Sequence, residues 1–274
     1  MALKDLDLSL PLPDVFPKAW KNTFHDNFDF FLFRNLDHFK YEVAQLKQKK
    51  DDNCGVTYAE AVSDLVAGRS NFPESEQESI RNLVRSKLLK RGLITEEIYE
   101  EFKFSSEGTQ VGIDVGKYAA GEPDCVITPA RQYIDFFHEL YISISYPYWV
   151  KNEFVRANVA KLLATVEELE RQHIFIKITV VAPALNIHNS DRRKCFMTAI
   201  PLFHHKEPKS VAVMSSVVNE RLLRKFVFAV LEDHYKKDLS VNYGNATSLP
   251  DTINIGEELN EIELFESIVK TVGA

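Results

Sequence analysis

The fold is decided by three consecutive stretches: FFHELYISIS at 136–145, KNEFVRANVAKLLATVEELER at 151–171 and IFIKITVVA at 174–182. The first stretch predicts a β-strand. The second places apolar residues on one face at the spacing of an α-helix. The third is almost continuously apolar and rich in β-branched residues, which is typical of a strand buried in a parallel sheet. Together they predict a βαβ unit with a right-handed crossover.

Further strands and helices are predicted on both sides of this unit. Residues 194–203 predict a strand, and residues 219–235 predict a helix with an apolar face. Short strands are predicted at 111–115 and 125–128, separated by the turn signal Gly-Glu-Pro-Asp. The sequence therefore predicts an α/β fold, α+β over the whole chain, with a Rossmann-like, partly parallel sheet flanked by helices.

The first hundred residues are predicted to be mostly helical. From Trp20 to Leu46, apolar residues recur at three- and four-residue steps. TYAE at 57–60 predicts a capping box, and Gly68 would end that helix in the left-handed conformation. A second helix is predicted at 74–91, with Ile80, Leu83, Val84, Leu88 and Leu89 facing inward.

We divide the chain into three regions: a mainly helical region at 1–108, an α/β sheet domain at 109–245 and an acidic tail at 246–274. The polar stretch 105–110 marks the first boundary, after a short helix predicted to follow Thr95. The tail contains an amphipathic helix predicted at 257–269. This helix would pack on its own domain or dock on a basic partner.

Composition excludes several classes of protein. The 274 residues carry a formal net charge of −7. The chain therefore lacks the overall basic charge that is typical of a nucleic-acid-binding domain. The three cysteines, Cys54, Cys125 and Cys195, form no disulfide framework and no metal motif, as expected in a reducing compartment. No window approaches the roughly 20 apolar residues that span a bilayer, and residues 1–12 lack the features of a signal peptide. A cytoplasmic protein with no membrane contact is predicted.

No catalytic centre is recognisable. A phosphate loop requires glycines between a strand and a helix, whereas Gly112, Gly116 and Gly121 precede no predicted helix. His204 and His205 are adjacent, so on a strand their rings would point to opposite faces rather than to one metal ion. A G-x-S-x-G nucleophile motif is absent. We therefore predict no catalytic, cofactor-binding or metal-binding residue.

A candidate binding surface is predicted at the carboxyl ends of the parallel strands, where open α/β sheets bind ligands. A basic loop at 192–194 lies between two predicted strands and could contact phosphate or nucleic acid, although a solvated loop is the simpler interpretation. The predicted surface comprises Ser143, Ser145, Asp191, Arg192 and Arg193, with carboxylates added by Asp114 and Glu122.

One motif resembles a known family. The stretch IDVGKYAAGEPDC at 113–125, together with the aromatic stretch from Trp20 and the helix start at 57–61, resembles an uncharacterised family of proteins encoded by tailed bacteriophages and prophages. The resemblance covers roughly residues 20–235. It implies a phage origin rather than a mechanism.

The βαβ unit also resembles a degenerate von Willebrand A-type domain. In that family an Asp-x-Ser-x-Ser run ends the first strand and binds a divalent cation. The corresponding stretch here is YISIS at 141–145, which retains Ser143 and Ser145 but has Tyr141 in place of the aspartate. Without that carboxylate the site lacks the charged oxygen that a hard cation requires, so we predict no metal ion there.

Three functions remain open. The first is a phage-encoded, non-enzymatic accessory protein that binds another protein, such as a host defence complex or a phage ATPase, alone or as a homo-oligomer. The second is an enzyme with a site at the carboxyl ends of the strands. The third is a nucleic-acid-binding protein that uses the 192–194 loop. The missing catalytic motif, the acidic charge and the amphipathic tail favour the first.

Overall fold

The computed structural model describes residues 20, 28–46, 57–68, 73–94, 102–105, 112–113, 115–121, 126–129, 135–147, 149–187, 193–219, 222–235, 245–247 and 249–273. Within these residues the strands are β1 (Phe28–Leu32), β2 (Phe102–Ser105), β3 (Gly112–Ile113), β4 (Val126–Pro129), β5 (Phe136–Ser143), β6 (Ile174–Ile187), β7 (Arg193–Phe203), β8 (Asn245–Ala246) and β9 (Ile253–Asn254). The α-helices are α1 (Leu36–Gln45), α2 (Tyr58–Ala67), α3 (Glu74–Lys90), α4 (Val115–Ala119), α5 (Asn152–Glu170), α6 (Val211–Val217), α7 (Phe228–Tyr235) and α8 (Glu261–Val272). A π-helix at Leu222–Val227 leads into α7.

The main sheet is mixed, with strand order β1-β7-β6-β5-β9 and with β8 attached to β6. β5 and β6 are parallel neighbours joined by α5, which confirms the predicted strand-helix-strand unit. β9 adds a short parallel pairing to β5, whereas β7 runs antiparallel to β6. A smaller antiparallel sheet has the order β2-β4-β3. The protein has the predicted α/β fold, with helices flanking a partly parallel sheet.

One large core lies between one face of the main sheet and the helices. Alternate residues of β6 are buried on this face, together with Val159 and Leu162 of α5. Phe39 of α1, Leu65 of α2 and Leu88 of α3 belong to the same core. The N-terminal helices therefore share their apolar core with the sheet.

The opposite face of the sheet carries a smaller cluster centred on Trp20. Side chains alternate between the faces of a strand, so Tyr141 and Val181 point away from the main core. Both residues cluster with the fully buried Trp20, and with Met197 and Leu249. The Trp20 and Tyr141 rings meet edge to face, with centroids 5.0 Å apart. This cluster attaches a distant part of the chain to β5.

Local helix signals are confirmed where they depend on nearby residues. Thr57 and Glu60 form the capping box: Thr57 N–H donates to Glu60 Oε2 at 2.8 Å, and Glu60 N–H donates to Thr57 Oγ1 at 3.2 Å. Gly68 ends α2 with φ 61°, in the left-handed region. In α3, Val84 is buried as predicted, but the prediction for Leu83 is wrong because that side chain is 50% exposed.

The structure corrects four predicted elements. The strand predicted at 111–115 is confined to Gly112–Ile113, and a helix that was not predicted there, α4, begins at Val115. Residues 28–32 are not helical but form β1, which pairs in parallel with β7. Aromatic spacing in FDFFL fits strand alternation as well as a helix, and the pairing with β7 decides between them. Residues 102–105, predicted to end a short helix, form β2 opposite β4. The predicted loop at 192–194 is also shorter, since Arg193 and Lys194 lie in β7.

The C-terminal helix packs on its own domain. α8 begins at Glu261, later than predicted, because Asn260 caps it by accepting hydrogen bonds from the N–H groups of Ile262 and Glu263. Its apolar face contacts α5, α3 and β5, and Phe265 is buried there. This outcome is one of the two that the amphipathic pattern left open.

An ion pair joins α8 to α3. The buried Glu261 carboxylate accepts a hydrogen bond from the Lys87 ammonium. Burial raises the pKa of Glu261, but the hydrogen bond from Lys87, a backbone hydrogen bond and the charges of Lys87 and Lys161 together outweigh it. The net pKa lies below its ordinary value. A carboxylate with a lowered pKa in the folded state stabilises the fold above its unfolded pKa, and that stability disappears as the pH falls through the folded pKa.

Lys87→Met is expected to lower the free energy of unfolding by about 1–3 kcal/mol at pH 7, because it leaves a buried carboxylate without its main partner. The deficit should shrink as the pH falls from 5 to 3, since protonation of Glu261 removes the uncompensated charge. Urea denaturation at pH 7, 5 and 3.5 measures both effects. Lys90→Met, at an exposed position of the same helix, is the control. An equal deficit at every pH would show that the ion pair does not stabilise the fold.

Candidate functional site

The predicted serines at the end of β5 do not face solvent. Ser143 is 1% exposed and Ser145 is 3% exposed. The Ser143 hydroxyl accepts a hydrogen bond from Ser145 N–H at 3.4 Å, and the Ser145 hydroxyl accepts one from Thr247 N–H at 2.8 Å. Both side chains therefore stabilise the backbone where β5 ends, and neither is available to a ligand in this conformation.

The other predicted surface residues do not join these serines. Asp114, Glu122, Asp191 and Arg192 lie outside the described residues. Arg193 begins β7 and pairs with Ile187, whereas Ser143 pairs with Val181 further back along β6. About 20 Å of β6 separates the two positions. The structure thus does not bring Arg193 next to the end of β5.

A different feature stands out on β5, namely the edge away from β6. Phe136 N–H donates to His173 C=O at 2.9 Å and Ile144 N–H donates to Val181 C=O at 3.0 Å, so even-numbered residues direct their backbone groups to β6. Odd-numbered residues direct theirs to the outer edge, where Ser143 C=O accepts a hydrogen bond from Ile255 N–H at 3.0 Å. Among the described residues, none pairs with the outward N–H and C=O groups of Phe137 and Glu139.

Among the described residues this edge is unpaired because residues 249–252, just before β9, turn away from it. β9 pairs only with Ile142 and Ser143. Just before it, Asp251 adopts the left-handed conformation with φ 55°. The indole N–H of Trp20 donates to Pro250 C=O at 2.7 Å, and Thr252 Oγ1 donates to Leu249 C=O at 2.8 Å. These contacts keep residues 249–252 from extending β9 along β5.

A groove of about 480 Å³ lies beside this open edge. We call it the edge groove. Residues 138–141 of β5 form one wall, residues 251–253 close one end, and α8 forms the other wall. The side chains from α8 that line it are Leu264, Ser267, Ile268 and Thr271. Its volume is in the range of about 300–1,000 Å³ that is usual for ligand sites.

The edge groove is weakly acidic, because one of its two carboxylates is paired with a lysine. Its lining contains the carboxylates of Glu139 and Asp251 and no Lys or Arg. Glu139 lies 2.8 Å from Lys177 Nζ and accepts a hydrogen bond from Thr179 Oγ1 at 3.0 Å, whereas Asp251 has no basic partner within the described part of the chain. Burial lowers the pKa of His138, which keeps that lining imidazole neutral at pH 7.

An aromatic cluster continues the open edge toward the start of β5. Phe137 is 55% exposed, and its ring stacks on Phe175 with centroids 6.0 Å apart. Lys206 Nζ lies 4.8 Å from the centroid of Phe175 and 2.6 Å from Asp135, which also contacts His173 at 3.2 Å. The hydrogen bond from Lys206 lowers the pKa of Asp135. The carboxylate is thus held by an ion pair with Lys206 and by a contact with the His173 ring.

The described part of the chain supplies no grouping of three or more His, Cys, Asp or Glu side chains that could hold a metal ion. In the same residues, no helix combines the length and the apolar character needed to cross a membrane.

Sequence reasoning missed the edge groove, although part of its wall was visible. Leu264, Ser267, Ile268 and Thr271 recur at three- and four-residue steps, so they share one face of α8. The open edge itself has no local signal, because it depends on where another segment stops pairing.

Comparisons with known proteins identify a family for this chain but indicate no activity. A family model described as "Domain of unknown function (DUF7192)" matches residues 13–269, which include every strand of the main sheet. Neither the curated proteins nor the solved structures contain a match to this chain.

Proposed function

The chain belongs to the DUF7192 family, for which no function is assigned, and on this premise we propose that it is a non-enzymatic protein that acts by binding another protein at the edge groove. The observation that carries the proposal is the backbone of Phe137 and Glu139, which has no pairing strand among the described residues and lies beside the edge groove. The resemblance to a family of phage and prophage proteins supports a partner such as a host defence complex or a phage ATPase, met in the host cytoplasm.

An open strand edge next to a groove supports binding for a physical reason. Unpaired N–H and C=O groups at a sheet edge attract other strands, so proteins usually cover them, shorten them or protect them with charge. Here β9 pairs only with Ile142 and Ser143 of β5. The groove separates the rest of this edge from α8. A second polypeptide is the partner whose backbone can pair with these groups and whose side chains can fill the groove.

The acidic lining supports a protein partner over nucleic acid. Phosphate binding depends on Lys and Arg side chains, and the edge groove presents Glu139 and Asp251 instead. The burial of Ser143 and Ser145 likewise supports binding over catalysis at the end of β5.

Ser267→Trp tests the proposal. Ser267 is an exposed residue in the groove wall, so an indole there fills the groove without entering the core. Lys270→Trp, at an exposed position of α8 outside the groove, is the matched control. A protein captured from the host by the native chain and by Lys270→Trp should be recovered at least tenfold less with Ser267→Trp, as measured by quantitative mass spectrometry.

The captured protein should then bind the purified native chain directly. With Ser267→Trp its Kd should rise at least tenfold, and with Lys270→Trp it should change less than threefold. If every captured protein is recovered equally with both variants, the edge groove is not the binding site and the proposal fails.

A further inference from the structure

We infer that the edge groove takes its partner by strand addition, as an extended segment in which apolar residues alternate with Lys or Arg and which pairs with β5. This inference rests on the proposed function and specifies the chemistry of the bound segment. It follows from the backbone of β5, from the two sides of the groove and from the charge of its lining.

The backbone of β5 offers a strand-pairing pattern. Phe137 and Glu139 each direct one N–H donor and one C=O acceptor to the open edge, two residues apart. Two residues of an extended chain span about 6.6 Å, which is the repeat of a neighbouring strand. A segment of five to seven residues would therefore pair with both residues and fill the edge below β9. A helix has no free backbone groups to match this pattern.

The two sides of the groove differ in chemistry. This difference explains why apolar residues of the bound segment should alternate with Lys or Arg. Side chains of an added strand would point alternately toward α8 and toward the opposite face of the sheet. On the α8 side they meet uncharged lining groups, which favour an uncharged residue such as valine over Lys or Arg. These groups are Leu140, Leu264, Ile268, Ser267, Thr271 and the neutral imidazole of His138. On the other side they lie over the face that carries Phe137 and Glu139. Glu139 is already paired with Lys177 there, so the groove-lining carboxylate that remains for a cation of the segment is Asp251.

The charge of the lining selects a basic segment. Asp251 is exposed, lies at the end of the groove and has no basic partner among the described residues, so a Lys or Arg of the segment would supply one. The same charge argues against a second copy of this chain. Two β5 edges paired with each other would place acidic groove linings together, and facing like charges destabilise strand pairs. The rest of the protein is also acidic, with a formal net charge of −7.

The chain's own segment before β9 is a poor occupant. Asp251 would have to leave its left-handed conformation, and Pro250 would have to give up the hydrogen bond from the Trp20 indole. Residues 249–252 are therefore not the segment that we infer to pair with β5.

Synthetic peptides test the inference without knowledge of the partner. The probe is the fluorescein-labelled peptide Lys-Val-Lys-Val-Lys-Val-Lys, blocked at both ends, and binding is followed by fluorescence anisotropy. The controls are the same composition with the valines grouped together and the alternating Glu-Val peptide. The native chain and Lys270→Trp should bind the probe at least tenfold more tightly than either control, and Ser267→Trp should lose that binding. Asp251→Asn should weaken it about threefold.

N-methylation distinguishes strand addition from other modes of binding. In an alternating peptide, the valine N–H groups all lie along one edge and the lysine N–H groups along the other. Methylating one set should weaken binding at least tenfold, and methylating the other set should change it less than threefold. Which set matters also reports whether the segment runs parallel or antiparallel to β5.

The possible failures separate the inference from the proposed function. If both methylated peptides bind like the probe, or if the probe does not bind while a protein partner still depends on Ser267, strand addition by a basic segment is wrong and the binding function stands. If the chain instead dimerises in sedimentation equilibrium and Ser267→Trp abolishes the dimer, a second copy is the occupant and the inference is overturned. If neither peptide nor protein depends on Ser267, both proposals fail.

Discussion

Gly256→Ala is expected to lower the free energy of unfolding by about 3 kcal/mol, because a side chain at this position has no space. A Cβ atom there would lie 2.7 Å from Cγ of Tyr146 and closer still to its Cβ. Tyr146 is buried, and its Cβ cannot move by rotation of the side chain, so the backbone itself would have to shift.

The backbone around Gly256 is held on both sides, which prevents such a shift. Ile255 N–H donates to Ser143 C=O at 3.0 Å. The buried Asn158 amide donates to Ile255 C=O at 3.0 Å and to Glu257 C=O at 2.7 Å. Relief of the clash would break these bonds or separate β9 from β5, so either route costs stability.

Urea denaturation of Gly256→Ala measures this effect, and Gly68→Ala provides the control. Gly68 has a left-handed φ of 61°, but no atom lies within 4 Å of the place that a Cβ would occupy, so its replacement adds backbone strain without a clash. That strain should cost about 1 kcal/mol. If Gly256→Ala costs no more than Gly68→Ala, the close approach of Gly256 to Tyr146 does not constrain the fold.

Trp20→Ala is the second variant with a large expected effect. We expect it to lower the free energy of unfolding by about 4 kcal/mol. The indole is fully buried against Tyr141, Val181 and Met197, so truncation leaves a cavity on this face of the sheet. It also removes the hydrogen bond to Pro250 C=O, which keeps the chain before β9 away from β5. We therefore expect the variant to lose affinity for the alternating Lys-Val probe as well as stability.

Trp20→Phe separates packing from hydrogen bonding. The phenyl ring fills most of the site but has no N–H donor, so about 1–2 kcal/mol should be lost through the smaller ring and the unpaired carbonyl. Denaturation curves for the two variants separate the contribution of packing from that of the hydrogen bond. Curves recorded with and without the probe also show whether each variant still binds it. A Trp20→Ala protein within about 1 kcal/mol of the native chain would mean that this cluster contributes little to the sheet.

The parts of the fold that depend on nearby residues could be predicted. The capping box of Thr57 and Glu60 requires residues three apart, and Gly68 ends its helix through its own φ angle. The helix at 152–170 and the strands on either side show their periods within their own sequences. The aromatic spacing at 28–32 fits both a helix and a strand. Only the pairing with β7 shows that this segment is a strand.

The candidate site could not be predicted in the same way. Ser143 and Ser145 lie at a strand end, as the sequence predicts, but hydrogen bonds to the backbone of Ser145 and Thr247 use their hydroxyl groups. The edge groove, in contrast, depends on the point at which β9 stops pairing with β5. That point is set by Asp251, more than one hundred residues further along the chain.

The amino-acid sequence by itself determined the βαβ unit, the capped N-terminal helices and the apolar face of α8, because hydrophobic period and capping chemistry act over a few residues. Only the tertiary structure decided that β1 joins the sheet, that α8 packs beside β5, and that the backbone of Phe137 and Glu139 has no pairing strand among the described residues. These features are relations between distant segments. They arise when the chain buries its apolar faces together, and no single segment carries them.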